Sequence, residues 1–176
     1  MKKLDGQIVI ITGGARGIGE GICKLFCDEG AIVFLWDILE DGQNTADNIL
    51  ENGGSIIFQK VDVSNQDSVN SAVENIIENH GKIDVLINNA GIIRDRSILK
   101  MTRDEWDMVQ SVNVDSLFIT TKAVLPYMKA SNYGRIISAS SINAFQGAFG
   151  QTNYSASKAA IVGFTHSLCR EVGKYN

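Results

Sequence analysis

Residues 7–19 read QIVIITGGARGIG, and this stretch decides the fold. Ile8–Ile11 with Thr12 form a short, unbroken apolar run, the pattern of a strand buried on both faces. The run passes without a spacer into Thr12-Gly13-Gly14-Ala15-Arg16-Gly17-Ile18-Gly19, and then into a helical pattern that Gly30 stops after Glu29. Glycines at such a point permit a tight turn, close backbone approach to a diphosphate and close packing of helix on strand. The start of the helix adds free N–H groups and the positive end of its dipole, both suited to phosphate. The spacing here is G-x-x-x-G-x-G. A glycine cluster can be a plain turn; set between a first strand and a first helix, it reads as a phosphate loop.

Working outward, apolar runs alternate with helical patterns. Further strands are predicted over 31–36, 55–61, 82–87 and 134–140. Helices are predicted over 17–29, 40–51, from Ser64 to His80, over 102–129, and from Thr152 to the end. Ser64 with Asp67, and Thr102 with Glu105, are capping-box patterns. Strands that are apolar on both faces, each followed by a helix, imply one α/β domain over 1–176, a doubly wound parallel sheet with right-handed crossovers.

Composition narrows the function. The chain has 176 residues, 44% hydrophobic and 20% charged, with a net charge of −4. Basic and acidic residues are interspersed, so no electrostatic footprint for nucleic acid exists. The apolar run at 8–11 is too short for a signal peptide or a membrane span. The reading is a cytoplasmic protein with no membrane partner. Three cysteines in a reducing compartment argue against disulfides, and Cys23 and Cys27 read as buried positions on one helix face. His80 fits a helix C-terminus and His166 a helix surface; no ligand set at metal spacing appears, so no metal is predicted. Asp37 ends the second strand, eighteen residues after Gly19. A carboxylate there accepts hydrogen bonds from both adenosine ribose hydroxyls and repels a 2′-phosphate, which favours NAD(H). Arg16 pulls the other way by offering to pair with a phosphate, so NADP(H) stays open.

The ordered set of motifs resembles the classical short-chain dehydrogenase/reductase family over essentially the whole chain. The glycine loop comes first, then Asn88-Asn89-Ala90-Gly91, Asn113 within S-V-N-V, Ser141, and Tyr154 with Lys158 as Y-x-x-x-K. The stretch GRIISASSINAFQGAFGQTNYSASKAAIVGF is similar to 3-oxoacyl-carrier-protein and acetoacetyl-CoA reductases, and nearly as similar to sugar and alcohol dehydrogenases of the family. The resemblance implies a three-layer αβα Rossmann fold and a catalytic set of Asn113, Ser141, Tyr154 and Lys158. It implies a cofactor site built from Gly13, Arg16, Gly17, Ile18, Gly19, Asp37, Asp62, Val63, Asn89, Ala90, Gly91, Tyr154 and Lys158. It implies a homotetramer or homodimer, with helix 102–129 and the final helix as contact faces. Asn113 would position a water that relays protons to Lys158, and Lys158 would also bond the nicotinamide ribose.

The residues supply the chemistry behind that set. The cofactor carries the hydride, and the protein must handle one proton. A tyrosine needs help to exchange a proton near neutral pH, and a lysine one helical turn on faces the same way and favours the phenolate. Ser141, at the carboxyl end of the fifth strand, can share developing charge on the substrate oxygen. Ser138 and Ser140 compete on the residues alone; the thirteen-residue spacing to Tyr154 in the family selects Ser141.

Family members normally continue past this point, with a further strand, a substrate lid and a last strand and helix. The expectation is therefore the ordered part of a longer protein, or an inactive fragment, with the fifth strand left as an unpaired edge. Three functions compete: a reductase of 3-oxoacyl thioesters on acyl-carrier protein or CoA, as in fatty acid biosynthesis; an NAD-dependent dehydrogenase of a small alcohol, sugar or sterol; and a dinucleotide-binding sensor or scaffold without turnover.

Overall fold

The computed structural model describes residues 2–175. Five parallel strands, β1 (Ile8–Thr12), β2 (Ile32–Asp37), β3 (Ser55–Lys60), β4 (Val85–Asn88) and β5 (Arg135–Ser138), form one sheet in the order β3-β2-β1-β4-β5. The chain walks outward from β1 to β3, then returns across β1 to β4, so the strand order reverses between β1 and β4. That reversal leaves a crevice at the carboxyl ends of the two strands, where open α/β sheets bind ligands. The Rossmann architecture read from the sequence is the one present.

The alternation of β1 sorts the core. Ile8 and Ile10 face one side with Phe34, Trp36, Val69, Ile76, Leu86 and Val124. Val9 and Ile11 face the other with Cys23, Cys27, Val33, Leu35, Ile49 and Ile87. The first face is covered by α3 (Gln66–His80) and α5 (Ser116–Ala130), the second by α1 (Gly17–Asp28) and α2 (Asp41–Glu51). Each such side chain contributes about 1.5–3 kcal/mol when removed from water, which makes β1 the strand the sheet is built on. The two cysteines are buried as expected. Burial pushes the Cys23 thiol up to about 12 and the Cys27 thiol up to about 11, so both remain unreactive packing groups. His80 closes α3 and stacks edge-on against Phe34, with ring centroids 5.3 Å apart. Gly81, at φ 72°, ends that helix in the left-handed conformation.

Several boundaries differ from the sequence reading. β4 begins at Val85, not Lys82, because the Asp84 carboxylate, not a strand carbonyl, accepts the Ile8 N–H at 2.8 Å. Lys82 then pairs with that carboxylate at 2.7 Å. The cap of α3 is Asn65, whose side chain accepts the Ser68 N–H; Ser64 instead donates its hydroxyl to Asp62. Thr102 and Glu105 do form a full capping box at the start of α4 (Arg103–Gln110). The predicted helix 102–129 is α4, then a π-helical turn at Ser111–Asp115, then α5, which carries Pro126 inside it. A one-turn helix, α6 (Asn143–Gln146), was not anticipated. The final helix, α7, spans Thr152–Val172 and gives way to a 3-10 turn at Gly173–Tyr175. β5 is a sheet edge, and Ile137 on it is 52% exposed.

Two glycines of α1 behave oppositely. A Cβ at Gly19 would lie 2.0 Å from the Gly13 carbonyl oxygen, whereas a Cβ at Gly21 meets nothing within 4 Å. Gly21→Ala is expected to raise unfolding stability by about 0.5–1 kcal/mol, through helix propensity and a less flexible unfolded chain. Gly19→Ala is expected to lower it by about 1–3 kcal/mol through overpacking. Urea titration of both variants measures the two signs.

Candidate active site

The site starts from one hydroxyl. Thr12 ends β1 and is 2% exposed. Its Oγ1 accepts the N–H of Asn89 and of Ala90, each at 3.0 Å, and donates to the Ile87 carbonyl at 3.3 Å. The Asn89 side-chain amide returns across the same gap, donating to the carbonyls of Thr12 (3.0 Å) and Gly13 (3.1 Å). Five bonds thus fix the glycine loop against the end of β4. Thr12 was not singled out from the sequence; a hydroxyl at the last buried position before the loop was the signal available.

Around this clamp lies a cleft of about 380 Å³. Gly13, Arg16, Ile18, Gly19, Asp37, Asp62, Val63, Asn89, Ala90 and Gly91 all line it, joined by Trp36, Ile38 and Leu39 from the end of β2. Gly17 opens α1 at φ 60° and does not line the cleft itself. The Asp37 carboxylate is held as a rigid acceptor: one oxygen takes the Ala15 N–H at 3.0 Å and the other the Leu39 N–H at 3.1 Å. Asp62 is held by the Ser64 N–H and hydroxyl, at 2.9 and 2.6 Å. Among the described residues no side chain caps the start of α1, which leaves its first-turn N–H groups suited to an anion. Free helix-end donors, close glycines and a fixed carboxylate at the β2 end match the diphosphate and ribose of a dinucleotide.

A second, polar group of residues is buried beside the first. Asn113 (2% exposed), Ser157 (0%) and Lys158 (5%) pack where α7 meets the π-helical turn. Asn113 accepts the Ile92 N–H at 2.8 Å and donates to the Ile92 carbonyl and to Ser157 Oγ, both at 3.0 Å. Both amide N–H groups of Asn113 are therefore engaged by protein. Asn113 is neither solvent-facing nor free to donate to a relay water; its side chain clamps the segment after β4. The π turn at Ser111–Asp115 is the kind of local distortion that a polar residue inside a helix accompanies. Ser157, which passes the link on to the Tyr154 carbonyl at 2.7 Å, was missed by the sequence reading.

Lys158 Nζ donates to the Ala139 carbonyl at 2.7 Å and lies 5.6 Å from the centre of the Tyr154 ring. Among the described residues no carboxylate forms an ion pair with it. Burial holds its ammonium below the usual lysine range. Ser140 donates its hydroxyl to the Lys158 carbonyl at 2.9 Å, which leaves it a scaffolding part. Ser141 Oγ accepts the Asn143 N–H at 3.2 Å at the head of α6. Asn113, Ser141, Tyr154 and Lys158 do not line the cleft, but Gly91 joins the two groups. A Cβ placed on Gly91 would stand 3.3 Å from Asn113 Oδ1 and 3.5 Å from Lys158 Nζ. His166 is exposed on α7. Among the described residues no helix is long and apolar enough to cross a membrane.

The fold and cleft define a dinucleotide-binding α/β protein. The chain belongs to the short-chain dehydrogenase family, whose model matches residues 7–176, and such enzymes are oxidoreductases that use a nicotinamide dinucleotide. It is 45% identical over 174 residues to a 3-oxoacyl-[acyl-carrier-protein] reductase of Chlamydia pneumoniae, covering 98% of this chain and 70% of that protein. A 3-oxoacyl-[acyl-carrier-protein] reductase of Thermotoga maritima is 37% identical over 175 residues, covering 99% and 71%. A peroxisomal hydratase-dehydrogenase-epimerase of Neurospora crassa is 38% identical over 184 residues, covering 99% of this chain and 20% of that protein.

The buried lysine has a pH signature. Its folded pKa lies below 10.5, so between the two values the unfolded chain holds a proton that the folded protein has released. Stability from this group therefore rises with pH across that window and levels off above 10.5. Against Lys158→Met, the parent should gain unfolding free energy as pH climbs from neutrality towards 10.5, read by urea midpoints at matched pH.

Proposed function

We propose that this protein reduces the keto group of a 3-oxoacyl thioester, carried on acyl-carrier protein or CoA, to the secondary alcohol. The observation that carries the proposal is a buried lysine, unpaired by any carboxylate among the described residues, one turn from Tyr154 and in reach of the cleft through Gly91. The 3-oxoacyl-[acyl-carrier-protein] reductases among its relatives suggest the substrate class.

The bound dinucleotide supplies the hydride. Tyr154 presents its phenol to the carbonyl oxygen and gives up the proton. Lys158 lies on the same helical face and favours the phenolate that remains. Ser141 donates its hydroxyl to the same substrate oxygen and shares the charge that develops there. Asn113, by holding Ile92, fixes the segment that carries Gly91 at the edge of the cleft. Asp37 accepts from the adenosine ribose and favours NAD(H) over NADP(H). An apolar groove between α5 and α7, with Phe118, Leu125, Phe164 and Leu168, supports assembly as a homodimer or homotetramer. The cytoplasm is the compartment we assign.

Asp37 also favours a second reading, an NAD-dependent dehydrogenase of an alcohol, sugar or sterol. A sensor or scaffold without turnover is the third. Assays with acetoacetyl-CoA and with a panel of secondary alcohols, following nicotinamide absorbance, separate all three. Tyr154→Phe should lower turnover by about 10²-fold or more, as loss of a general acid does, with dinucleotide affinity retained. A variant as active as the parent would remove Tyr154 from the chemistry. Asp37→Ser should weaken NAD(H) binding about tenfold and improve NADP(H) binding, read by fluorescence titration with each cofactor.

A further inference from the structure

The residue before the tyrosine has no part in the proposed chemistry, yet it is 0% exposed. Asn153 lies in the first turn of α7, where backbone N–H groups lack helical partners. The usual remedy is a capping side chain at the helix start, and Gln151 there provides no cap bond. Asn153 Oδ1 accepts the Tyr154 N–H itself, at 2.8 Å. Its Nδ2 donates the other way, to the Arg94 carbonyl at 3.0 Å and, at a longer 3.4 Å, to the Glu105 carbonyl in α4. Only this orientation of the amide works, since an oxygen turned towards those two carbonyls would meet only acceptors. The Asn153 carbonyl in turn accepts Gln110 Nε2 at 3.0 Å.

Arg94 belongs to the segment that leaves the cleft after Gly91 and Ile92. The same segment bonds twice more to the approach to α7: Arg96 N–H to the Gly150 carbonyl at 2.8 Å, and Gln151 Nε2 to Asp95 at 3.0 Å. Three rungs therefore tie the cleft-side segment to the turn that carries the phenol. Of these three, the Asn153 rung alone reaches the tyrosine's N–H.

We infer that Asn153 is a positioning residue, which sets the place of the Tyr154 phenol relative to the nicotinamide end of the cleft by bridging the Tyr154 N–H to the 94 segment and α4. The inference rests on the role proposed for Tyr154. Asn153→Ala should lower kcat by about tenfold or more, as displacement of a reacting group does, with KM unchanged within about twofold. The assay uses the full-length protein with NADH and acetoacetyl-CoA. kcat is expressed per NADH-binding site, counted by fluorescence titration, so that loss of folded protein is divided out. A kcat per site within about twofold of the parent overturns the inference, because a residue that only stabilises the fold would change the number of sites. If Asn153→Ala does not fold, Gln110→Ala removes the outer bond alone. It should lower kcat per site about threefold at unchanged KM, and no change in kcat overturns the inference. Tyr154→Phe, run beside them, isolates the underlying reading: if it turns over like the parent, the proposed chemistry fails, whatever Asn153 does.

Discussion

A buried hydroxyl holds the two halves of the sheet together at the place where the strand order reverses. Strands β1 and β4 are neighbours in space but lie about seventy residues apart in the chain, and beyond their last ladder bonds nothing in the sheet obliges them to stay in register. Thr12 Oγ1 supplies that obligation by taking two N–H groups from the β4 exit, and Asn89 repeats the link in the opposite direction. Replacing Thr12 would strand two N–H donors and replacing the Asn89 side chain two carbonyl acceptors, at about 1–3 kcal/mol for each buried group left unpaired. The glycine loop, the cleft wall at Ala90 and Gly91, and the reach of Lys158 towards that wall all inherit their geometry from this clamp.

Much of this was legible in the residues, for definite reasons. The strands were readable because burial on both faces leaves an unbroken apolar run, and the dinucleotide loop because glycine is required where backbones nearly touch. The glycine loop from Gly13 to Gly19 follows from those two facts and Asp37 from its place at the end of the second strand, whereas Asp62, Val63 and Asn89 to Gly91 came with the family resemblance. What stayed hidden depends on side chains acting at a distance. Asp84 shortens β4 by replacing a strand carbonyl, which no propensity records. Asn65 outcompetes Ser64 as a cap because Ser64 is drawn to Asp62. The partners of Asn113, Ile92 and Ser157, come from segments that only the fold brings near.

The site also shows how opposing electrostatic demands are reconciled. A lysine that is to favour a phenolate must keep its charge, yet burial works against that charge. The Ala139 carbonyl at 2.7 Å offsets part of the cost without neutralising the ammonium, as a carboxylate would. Ser140 on the Lys158 carbonyl secures the backbone beneath it. Among the described residues no carboxylate pairs with this ammonium, so in the proposed chemistry its charge would be available to Tyr154.

The π-helical turn at Ser111–Asp115 has a bearing on how this gene can change. Such a turn is a helix that has absorbed one extra residue, and each residue corresponds to a rotation of about 100°. Deleting one codon within it would leave a regular, well-bonded helix, so folding alone would exert little pressure against the event. Because the wide turn takes up that residue with little net rotation, α5 would keep its phase relative to α4, and the loss would fall on the residues of the turn itself, Asn113 and its bond to Ile92 among them. The insertion thus sets where the side chains of the turn point, and it makes the length of this segment, as much as its sequence, a heritable part of the site.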